Sequence, residues 1–443
     1  MTDVMREPLL HPDTRAGAAL TVEERAYRKV TWRLVPFLML CYIVAYLDRV
    51  NVGFAKLQML SDLSFSETVY GLGAGIFFIG YFLFEVPSNV IMHRVGARLW
   101  IARIMITWGI ISGLMLFVRV PWHFYTLRFL LGVAEAGFYP GIILYLTYWY
   151  PSDRRARIVA LFMTAIPISG MLGGPLSGWI MQSLHGAHGL RGWQAMFLIE
   201  AIPSLIMGIA VLLYLDNGIR KAKWLSEEEK TVLEHNIEHG RRHIVEHPSI
   251  GAMFADRRVW LMCFIYFCCV MGQYGITFWL PTLIKSAGAT SVLEIGLLTA
   301  IPYTVTVIAM VLFGRSADRA RERRWHLAIP MVLGGAGLVG STVAGTHHLG
   351  VAVACLTVAS AGIITSAPLF WSLPTAFLTG VAAAAGIATI NSVGNLAGFV
   401  SPYVIGWLKD LTQSTVTGMY VLAAVLVIGA LTVLSVPKRM VNR

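Results

Sequence analysis

The chain has 443 residues, of which 56% are apolar and only 13% are charged, and its mean hydropathy is +0.67. Average soluble domains carry about 25% charged residues, so this composition excludes a soluble globular protein and predicts an all-α integral membrane protein. The formal net charge of +11 would favour nucleic-acid binding if the basic residues shared one face. They lie instead between apolar runs, which favours a role in membrane topology.

Twelve apolar runs are long enough to cross a hydrocarbon core of roughly 30 Å as helices. These predicted spans, numbered one to twelve in chain order, cover residues 34–55, 70–92, 99–118, 122–147, 157–183, 194–215, 259–284, 292–314, 326–345, 349–370, 375–407 and 415–436. Spans five and eleven are unusually long, and we expect kinks in them. The longest polar stretch, 216–258, divides the chain into two six-helix bundles, 34–215 and 259–436, with tails at 1–33 and 437–443.

The lysines and arginines set the expected orientation, because loops rich in these residues stay in the cytoplasm. With both termini in the cytoplasm, most of the 35 basic residues fall on that side. In the linker, Ser226 followed by Glu229 matches a capping box and predicts an amphipathic helix at the membrane surface. The five cysteines all lie in apolar runs, so we expect reduced thiols.

Span one contains an adjacent acid and base, Asp48 and Arg49, and span four contains Arg128 and Glu135. A charge at membrane depth costs roughly 2.5–3.5 kcal/mol on insertion scales and marks a functional site by default. Arg128 and Glu135 share one helix face, whereas Asp48 and Arg49 point about 100° apart. We therefore expect Arg49 to pair with Glu135. The remaining two charges, Asp48 and Arg128, would form the second pair. The alternative is that both pairs only fasten two helices together.

A short motif recurs at the same place in the two halves. After span eight, Gly314 is followed by Asp318 and Arg319 in a spacing that resembles the signature of the major facilitator superfamily. The corresponding segment after span two keeps Arg94 but has other residues at the glycine and aspartate positions. Such internal symmetry is typical of secondary transporters. The resemblance implies a twelve-helix fold of two six-helix bundles in which these residues act at a gate. We expect a gate or structural role for Glu85, near the cytoplasmic end of span two.

A narrower resemblance rests on motifs in the first half of the chain. They are 46–51 in span one, 80–81 and 85–89 in span two, 128–140 in span four, and 192–193 before span six. This set is similar to the anion:cation symporter family. Within that family, 47–60 and 70–103 look most like bacterial tartrate and 4-hydroxyphenylacetate permeases. The resemblance implies proton-coupled uptake of a small organic carboxylate across the bacterial inner membrane by alternating access.

A tartrate-like hydroxy acid is the first expected substrate, and an aromatic acid such as 4-hydroxyphenylacetate is the second. A carboxylate uniporter or exchanger is the remaining alternative. The sequence has neither a phosphate-binding loop of the Walker A type nor a hydrolase elbow. We therefore expect no enzymatic activity and no cofactor, with the proton gradient as the driving force. The expected partners are the substrate anion, protons and the lipid bilayer, with no nucleic acid and with the protein as a monomer.

The resemblance implies that Arg49 binds the substrate carboxylate and that Glu135 and Asp48 carry protons, with Arg128 in the same proton-coupling group. The residues themselves suggest how this would work. An ionised Glu135 occupies Arg49, and protonation of the acid frees the guanidinium for bidentate capture of a substrate carboxylate.

Five uncharged residues are further predictions for substrate binding. Tyr46 and Tyr81 stand where the family offers phenol hydroxyls, and a packing role is the alternative for each. Gln273, Ser372 and Asn391 offer polar groups from the second half that suit substrate hydroxyls. Membrane helices also use such residues to pack against one another, which is the alternative here.

The linker contains a histidine-rich segment that matches a metal-binding pattern. His235, Glu238 and His239 have the spacing of an inverted zinc-protease motif. Gly240 and Pro248 interrupt the helix that would hold such ligands, so we expect no metal site.

Overall fold

The computed structural model describes residues 21–242, 256–320, 322–345, 348–376 and 380–438. Every regular element in these ranges is a helix, and 11 helical segments are long and apolar enough to cross a membrane. The predicted all-α membrane architecture is confirmed. In the histidine-rich segment of the linker, Pro248 and two further histidines, His243 and His247, lie outside these ranges.

Each of the twelve predicted spans corresponds to one helix or to two consecutive helices, and span eleven, whose two helices are short, is the one outside the 11 long apolar segments. In the first half, the spans are Val22–Val50 with Val52–Leu63, Glu67–Val95, Ala97–Leu114, Pro121–Glu135 with Phe138–Thr147, Ser152–Met163 with Ala165–Ser183, and Gly192–Tyr214. The described part of the linker contains the helix Glu227–Arg242. In the second half, the spans are Arg257–Ser286, Val292–Ala320, Arg323–Ala344, Leu349–Phe370, Gly380–Asn395 with Ala397–Thr412, and Val416–Ser435.

Helix breaks occur in the two spans for which kinks are predicted and in two others. Span five breaks at Thr164, and span eleven breaks at Leu396. Span one breaks at Asn51, and span four breaks at Gly137, which has a left-handed φ of 84°. The apolar pattern does not predict the breaks in spans one and four. Each of them lies two residues after a charged residue, Arg49 in span one and Glu135 in span four, so the breaks help to position those two side chains.

The chain begins its first helix well before the predicted start of span one. Thr21 and Glu24 form a reciprocal cap there, with side-chain to backbone distances of 3.1 and 3.2 Å. The predicted capping box of the linker helix is also confirmed, because Ser226 and Glu229 exchange hydrogen bonds of 3.0 and 3.2 Å. Glu229 lies 2.6 Å from Lys29 of the first helix. The opposite end of the molecule, where Lys56 and Glu67 lie, is called the far end.

The two bundles meet chiefly where span five packs on span eight and where span two packs on span eleven. Facing glycines allow the first of these contacts, since a Cβ on Gly174 would lie 2.7 Å from the carbonyl oxygen of Gly296. Within the first bundle, spans two and four are equally close, and a Cβ on Gly132 would lie 2.0 Å from the carbonyl oxygen of Phe77. Larger residues at these glycines would push the spans apart.

At the far end, a charged cluster joins the two bundles. Glu67 of span two pairs with Lys56 of span one at 2.7 Å and also with Lys409 of span eleven. Lys56 is only 4% exposed, and its Nζ lies 3.2 Å from the centre of the Trp279 ring of span seven. Asp410 accepts a hydrogen bond of 3.2 Å from the backbone nitrogen of Glu67. In this conformation, the far end is closed by contacts between the bundles.

The gate motif after span eight lies on the last turns of its helix rather than in a loop. Gly314 faces open space, and Asp318 and Arg319 are exposed. Arg94, in the last turn of span two, is exposed as well. None of these three charged residues forms an ion pair with a described residue in this conformation.

Candidate functional site

A cavity lies between the two bundles, and both of them line it. The side chains around it are mostly aromatic, and Arg49 is the one charged residue among the described residues that line it. The aromatic and amide side chains that line the cavity are Tyr42, Tyr46, Phe77, Phe78, Tyr81, Tyr139, Tyr266, Gln273, Tyr274, Trp371, Asn391 and Asn395. A pocket with apolar walls and a few convergent polar groups is typical of a small-molecule site.

Arg49 is held by one partner from each bundle. Its Nε donates to Glu135 Oε1 at 3.0 Å, and its Nη2 contacts the same oxygen. Its Nη1 donates to the hydroxyl of Tyr274 in span seven at 3.2 Å. Arg49 is 5% exposed and Glu135 is 2% exposed. The predicted pair between Arg49 and Glu135 is therefore confirmed, and the guanidinium bridges the two halves of the protein.

The helix break in span four places Glu135 at the end of a helix. The segment Pro121–Glu135 ends there, and the chain resumes a helix at Phe138. A Cβ on Gly137, between the two segments, would lie 2.4 Å from the hydroxyl oxygen of Ser88. Because a helix C-terminus carries partial negative charge, it disfavours an anion. The ion pair with Arg49 offsets this unfavourable placement.

The second predicted pair, between Asp48 and Arg128, is wrong. Asp48 turns away from the cavity and accepts hydrogen bonds from Trp108 Nε1 at 3.0 Å, from Ser112 Oγ at 3.1 Å, and from Ser204. These donors belong to spans three and six, so neutral groups satisfy the carboxylate. The expected divergence of Asp48 from Arg49 around the helix is observed, and it sends the two charges to different neighbours.

Arg128 binds span two instead of an acid. Its guanidinium donates to the carbonyl oxygens of Gly73 at 3.2 Å and Ala74 at 3.3 Å. The guanidinium carbon lies 5.1 Å from the centre of the Phe77 ring, and the residue is 1% exposed. Arg128 thus fastens span four to span two and lies outside the cavity lining.

Aromatic rings surround the guanidinium of Arg49. The guanidinium carbon is 5.4 Å from the ring centres of Tyr46 and Phe77, and 5.7 Å from that of Tyr81. Both tyrosines line the cavity, as their predicted roles require. The Tyr46 hydroxyl is buried and forms no hydrogen bond of regular geometry with a described residue, although Gln273 and Thr277 lie beside it.

In the second half, the structure separates the three predicted residues. Gln273 and Asn391 line the cavity. Ser372 does not, because it follows the end of span ten, where its hydroxyl donates to the Leu369 carbonyl at 2.7 Å. Its neighbour Trp371 lines the cavity instead.

Glu85 and Asn391 connect the bundles beside the cavity. Asn391 Nδ2 donates to Glu85 Oε1 at 3.0 Å, and Glu85 is 6% exposed. The contact joins span two to span eleven, as a gate residue would. The sequence predicts a substrate role for Asn391 and a gate or structural role for Glu85, and the structure brings these two residues into direct contact.

Two residues of interest were not selected from the sequence, and a third was not distinguished from its neighbours. That third residue, Tyr274, is one of several polar residues on span seven that suit substrate hydroxyls, and only its hydrogen bond to Arg49 distinguishes it. Lys56 resembles an ordinary loop lysine near the far end, yet it is buried. Glu200 is an acid inside span six, and the rule that identified Glu135 could have found it. In the described ranges, no group of histidine, cysteine or acidic residues has an arrangement that could hold a metal ion.

Comparisons with known proteins agree with this architecture. A family model described as "Major Facilitator Superfamily" matches residues 38–402. A protein of Agrobacterium vitis named "Putative tartrate transporter" is 53% identical over 412 residues, which are 93% of this chain and 91% of the relative. A protein of Pseudomonas putida named "Putative metabolite transport protein NicT" is 49% identical over 419 residues, covering 94% and 95% of the two chains.

A solved structure extends the comparison to the fold. The crystal structure of a D-xylose-proton symporter superposes with a TM-score of 0.74 at 16% identity and covers 93% of this chain and 99% of the symporter. At this level of identity, the likeness concerns the fold alone. It supports the arrangement of two helical bundles around a central cavity.

Proposed function

The chain belongs to the Major Facilitator Superfamily, and on that premise we propose that it imports a small organic carboxylate into a bacterial cell together with protons. The protein is a multi-pass membrane transporter and not an enzyme. The proposal locates it in the inner membrane with both termini in the cytoplasm, in agreement with the distribution of lysine and arginine along the chain. With that orientation, the closed far end faces the periplasm.

The single observation that carries the proposal is the position of Arg49. It is the one charged residue among the described cavity-lining residues, and it is occupied by Glu135, which forms an ion pair with no other described residue. A guanidinium offers a planar fork of donors that matches a carboxylate. The Glu135 carboxylate and a substrate carboxylate therefore compete for the same donors.

Competition for Arg49 couples protons to substrate. When Glu135 takes up a proton, it loses its charge and its ion pair with Arg49. The guanidinium can then bind the substrate. When the substrate leaves, Arg49 recovers Glu135 and the proton is released. Arg49 alternates between Glu135 and the substrate carboxylate in this scheme, so each state of the cavity stays electrically balanced. Alternating access decides the side of the membrane on which each exchange occurs.

Asp48 and Arg128 have smaller parts in this proposal. Neutral donors satisfy Asp48, so a proton there competes with hydrogen bonds and not with an ion pair. We keep it as a second proton-carrying group. Arg128 positions the helix that carries Glu135 by binding carbonyl oxygens of span two.

A tartrate-like hydroxy acid is the substrate we propose first. The hydroxyls of Tyr46 and Tyr81 and the amides of Gln273 and Asn391 would bind substrate hydroxyl groups while Arg49 holds a carboxylate. The name of the relative from Agrobacterium vitis supports this choice. An aromatic acid such as 4-hydroxyphenylacetate is the second candidate, which the aromatic walls of the cavity favour.

Substrate binding can be tested with purified protein. A thermal-shift panel of tartrate, a sugar acid, 4-hydroxyphenylacetate and phthalate should give the largest rise in melting temperature for tartrate, because a bound ligand stabilises the folded state. A larger rise with 4-hydroxyphenylacetate would select the second candidate. No rise with any carboxylate would contradict the proposed substrate class.

Proton coupling is tested by uptake into proteoliposomes with and without an imposed pH gradient. Glu135→Gln should abolish gradient-driven accumulation and retain binding and exchange, because glutamine cannot release a proton. Glu228→Gln, at an exposed position on the linker helix, is the matched control and should transport normally. Full gradient-driven uptake by Glu135→Gln would refute the mechanism. Wild-type uptake that ignores the gradient but responds to internal substrate would identify an exchanger.

A further inference from the structure

Span six carries a buried acid that the proposed transport mechanism does not use. Glu200 is 1% exposed, and its Oε1 accepts a hydrogen bond of 2.6 Å from the hydroxyl of Ser177 in span five. Its Oε2 is buried and has no hydrogen-bond partner among the described residues. No lysine, arginine or histidine in the described ranges forms an ion pair with it. A carboxylate in this environment lacks the partners that an ionised group requires.

Beside Glu200 lies an amide whose polar atoms are also without partners. Asn51, at the helix break of span one, is 1% exposed, and neither its Oδ1 nor its Nδ2 has a hydrogen-bond partner among the described residues. Asn51 lies beside the Glu200 carboxyl. Its Nδ2 can donate to that carboxyl in either protonation state, but Glu200 can satisfy Asn51 Oδ1 only if a carboxyl oxygen carries a hydrogen.

The neighbouring acid decides which carboxyl takes the proton. Ser204, one turn after Glu200 on span six, donates to Asp48 of span one, so the two acids lie near each other. The side chains that spans three and five present around the two acids, Trp108, Ser112 and Ser177, are neutral. Asp48 has three donors and suits a negative charge, whereas Glu200 has one. Two like charges so close together without a cation would repel each other.

We propose that Glu200 is a separate proton-binding site, which holds its proton on Oε2 and donates it to Asn51 Oδ1. The carboxylate takes up one proton from water and becomes a neutral acid, and no other bond changes. The proton supplies the missing donor for Asn51 and removes the charge that would face Asp48. This site is distinct from Glu135, which has a cationic partner and lies beside the cavity.

The location gives this proton a connection to the conformational cycle, and this step rests on the proposed function. Ser177 lies between Gly174 and Gly178, the glycines through which span five packs on span eight. The neutral Glu200 therefore supports spans one, five and six behind a contact that closes the far end.

Infrared spectroscopy tests the protonation directly, without substrate or pH gradient. At neutral pH, the spectrum of Glu200→Gln should lack a carbonyl band of a protonated carboxyl that the wild type shows and that shifts in heavy water. Glutamine keeps the shape and can donate to Asn51, so the variant should fold. The band should persist in Glu135→Gln and in the exposed control Glu228→Gln.

A second variant removes the acceptor and leaves the acid in place. In Asn51→Leu, the band should remain but move to higher frequency, because the carboxyl proton has lost its hydrogen bond. Thermal unfolding supplies a further readout. The folded wild type holds a proton that the unfolded chain releases at neutral pH, so its melting temperature should fall more steeply with rising pH than that of Glu200→Gln.

Two outcomes would overturn the proposal. The first is a folded Glu200→Gln protein whose carboxyl bands match those of the wild type. The second is a rise in the wild-type melting temperature with Na⁺ that removes the band and is absent from Glu200→Gln, which would make this a metal-cation site. Neither outcome bears on Glu135, whose test is gradient-driven uptake, so failure of one proposal can be told from failure of the other.

Discussion

The two bundles contribute different chemistry to the cavity that they share. The first bundle contributes the charge, Arg49, together with the acid Glu135 that balances it. The second bundle contributes neutral groups, among them the hydroxyl of Tyr274 and the amide of Asn391. On the proposed function, proton coupling depends on the first bundle whereas substrate contacts come from both, so that a change in the second half should alter selectivity without altering coupling.

The far end shows a different division between the bundles. Here both halves contribute charged residues, with Lys56 and Glu67 from the first and Lys409 and Asp410 from the second. Beside the cavity, the described hydrogen bonds between bundles each pair a charged group with a neutral one, as in Arg49 with Tyr274 and Glu85 with Asn391. When substrate replaces a neutral residue such as Tyr274 or Asn391 in one of these hydrogen bonds, the displaced residue leaves no unpaired charge behind. Such contacts suit a site in which substrate binds and leaves.

The largest effect is expected at Arg49. Arg49→Gln should lower carboxylate affinity by at least about a hundredfold, since it removes two charge-assisted hydrogen bonds worth about 1.5–3 kcal/mol each. Isothermal calorimetry on purified protein measures this loss. The single change also leaves Glu135 buried without its cation, so a double variant, Arg49→Gln with Glu135→Gln, keeps the pair neutral and separates folding from binding. A folded double variant with wild-type affinity would remove Arg49 from the substrate site.

A smaller effect is expected from the second bundle's contact with the same guanidinium. Tyr274→Phe removes one hydroxyl from Arg49 and leaves Glu135 in place, so affinity should fall about tenfold, as for one hydrogen bond to a charged group. Coupling to the pH gradient should survive. The matched control is Tyr420→Phe, at an exposed position of span twelve. Uncoupled transport in Tyr274→Phe would contradict the division of roles between the bundles.

The sequence predicts the fold almost entirely and the site in part, for reasons visible in individual residues. Apolar runs are long and separated by polar segments, so the spans could be counted from hydropathy. Arg49 and Glu135 could be paired because buried charges need opposite charges, which leaves few choices. The same reasoning predicted an ion pair for Asp48 and was wrong, because Trp108 and two serines donate hydrogen bonds to its carboxylate and carry no charge.

Neutral partners explain most of what sequence reasoning could not find. Nothing in the sequence distinguishes Trp108 from other membrane tryptophans, because its role depends on which helix lies beside span one. The helix break at Gly137, which sets the position of Glu135, depends on close contact with Ser88 of another span. The prediction for Ser372 was wrong by one residue. Its neighbour Trp371 lines the cavity, whereas Ser372 lies just past the end of span ten and bonds to the backbone there.

The far-end cluster should respond by a few-fold rather than by orders of magnitude. Lys56→Gln should slow uptake more than Lys409→Gln, because Lys56 is 4% exposed against the Trp279 ring whereas the Lys409 side chain is 23% exposed. Substrate affinity should stay near the wild-type value, since neither lysine lines the cavity. Uptake kinetics at low and high salt measure this, with the exposed Arg119→Gln as control. Equal effects of the two changes would argue against the buried lysine as the main closing contact.

The smallest effect is expected where the linker helix docks on the first helix. Burial acts to raise the pKa of Glu229, but hydrogen bonds from Lys29 and Ser226 outweigh it and hold the pKa below its ordinary value of 4.5. The stabilisation is therefore present at neutral pH and is lost as the pH falls below 4.5 through the folded-state value. Lys29 is half exposed, so the pair contributes less than about 1 kcal/mol.

Amide exchange in the linker helix measures this contact. Glu229→Gln should lower protection there by no more than about fivefold at neutral pH, and Glu228→Gln should leave it unchanged. In the wild type, protection should approach that of Glu229→Gln as the pH falls, because protonated Glu229 no longer attracts Lys29. A loss of protection on raising the pH would show that another group holds the linker. Transport should be nearly unaffected, which would confine the functional charges to the cavity and the far end.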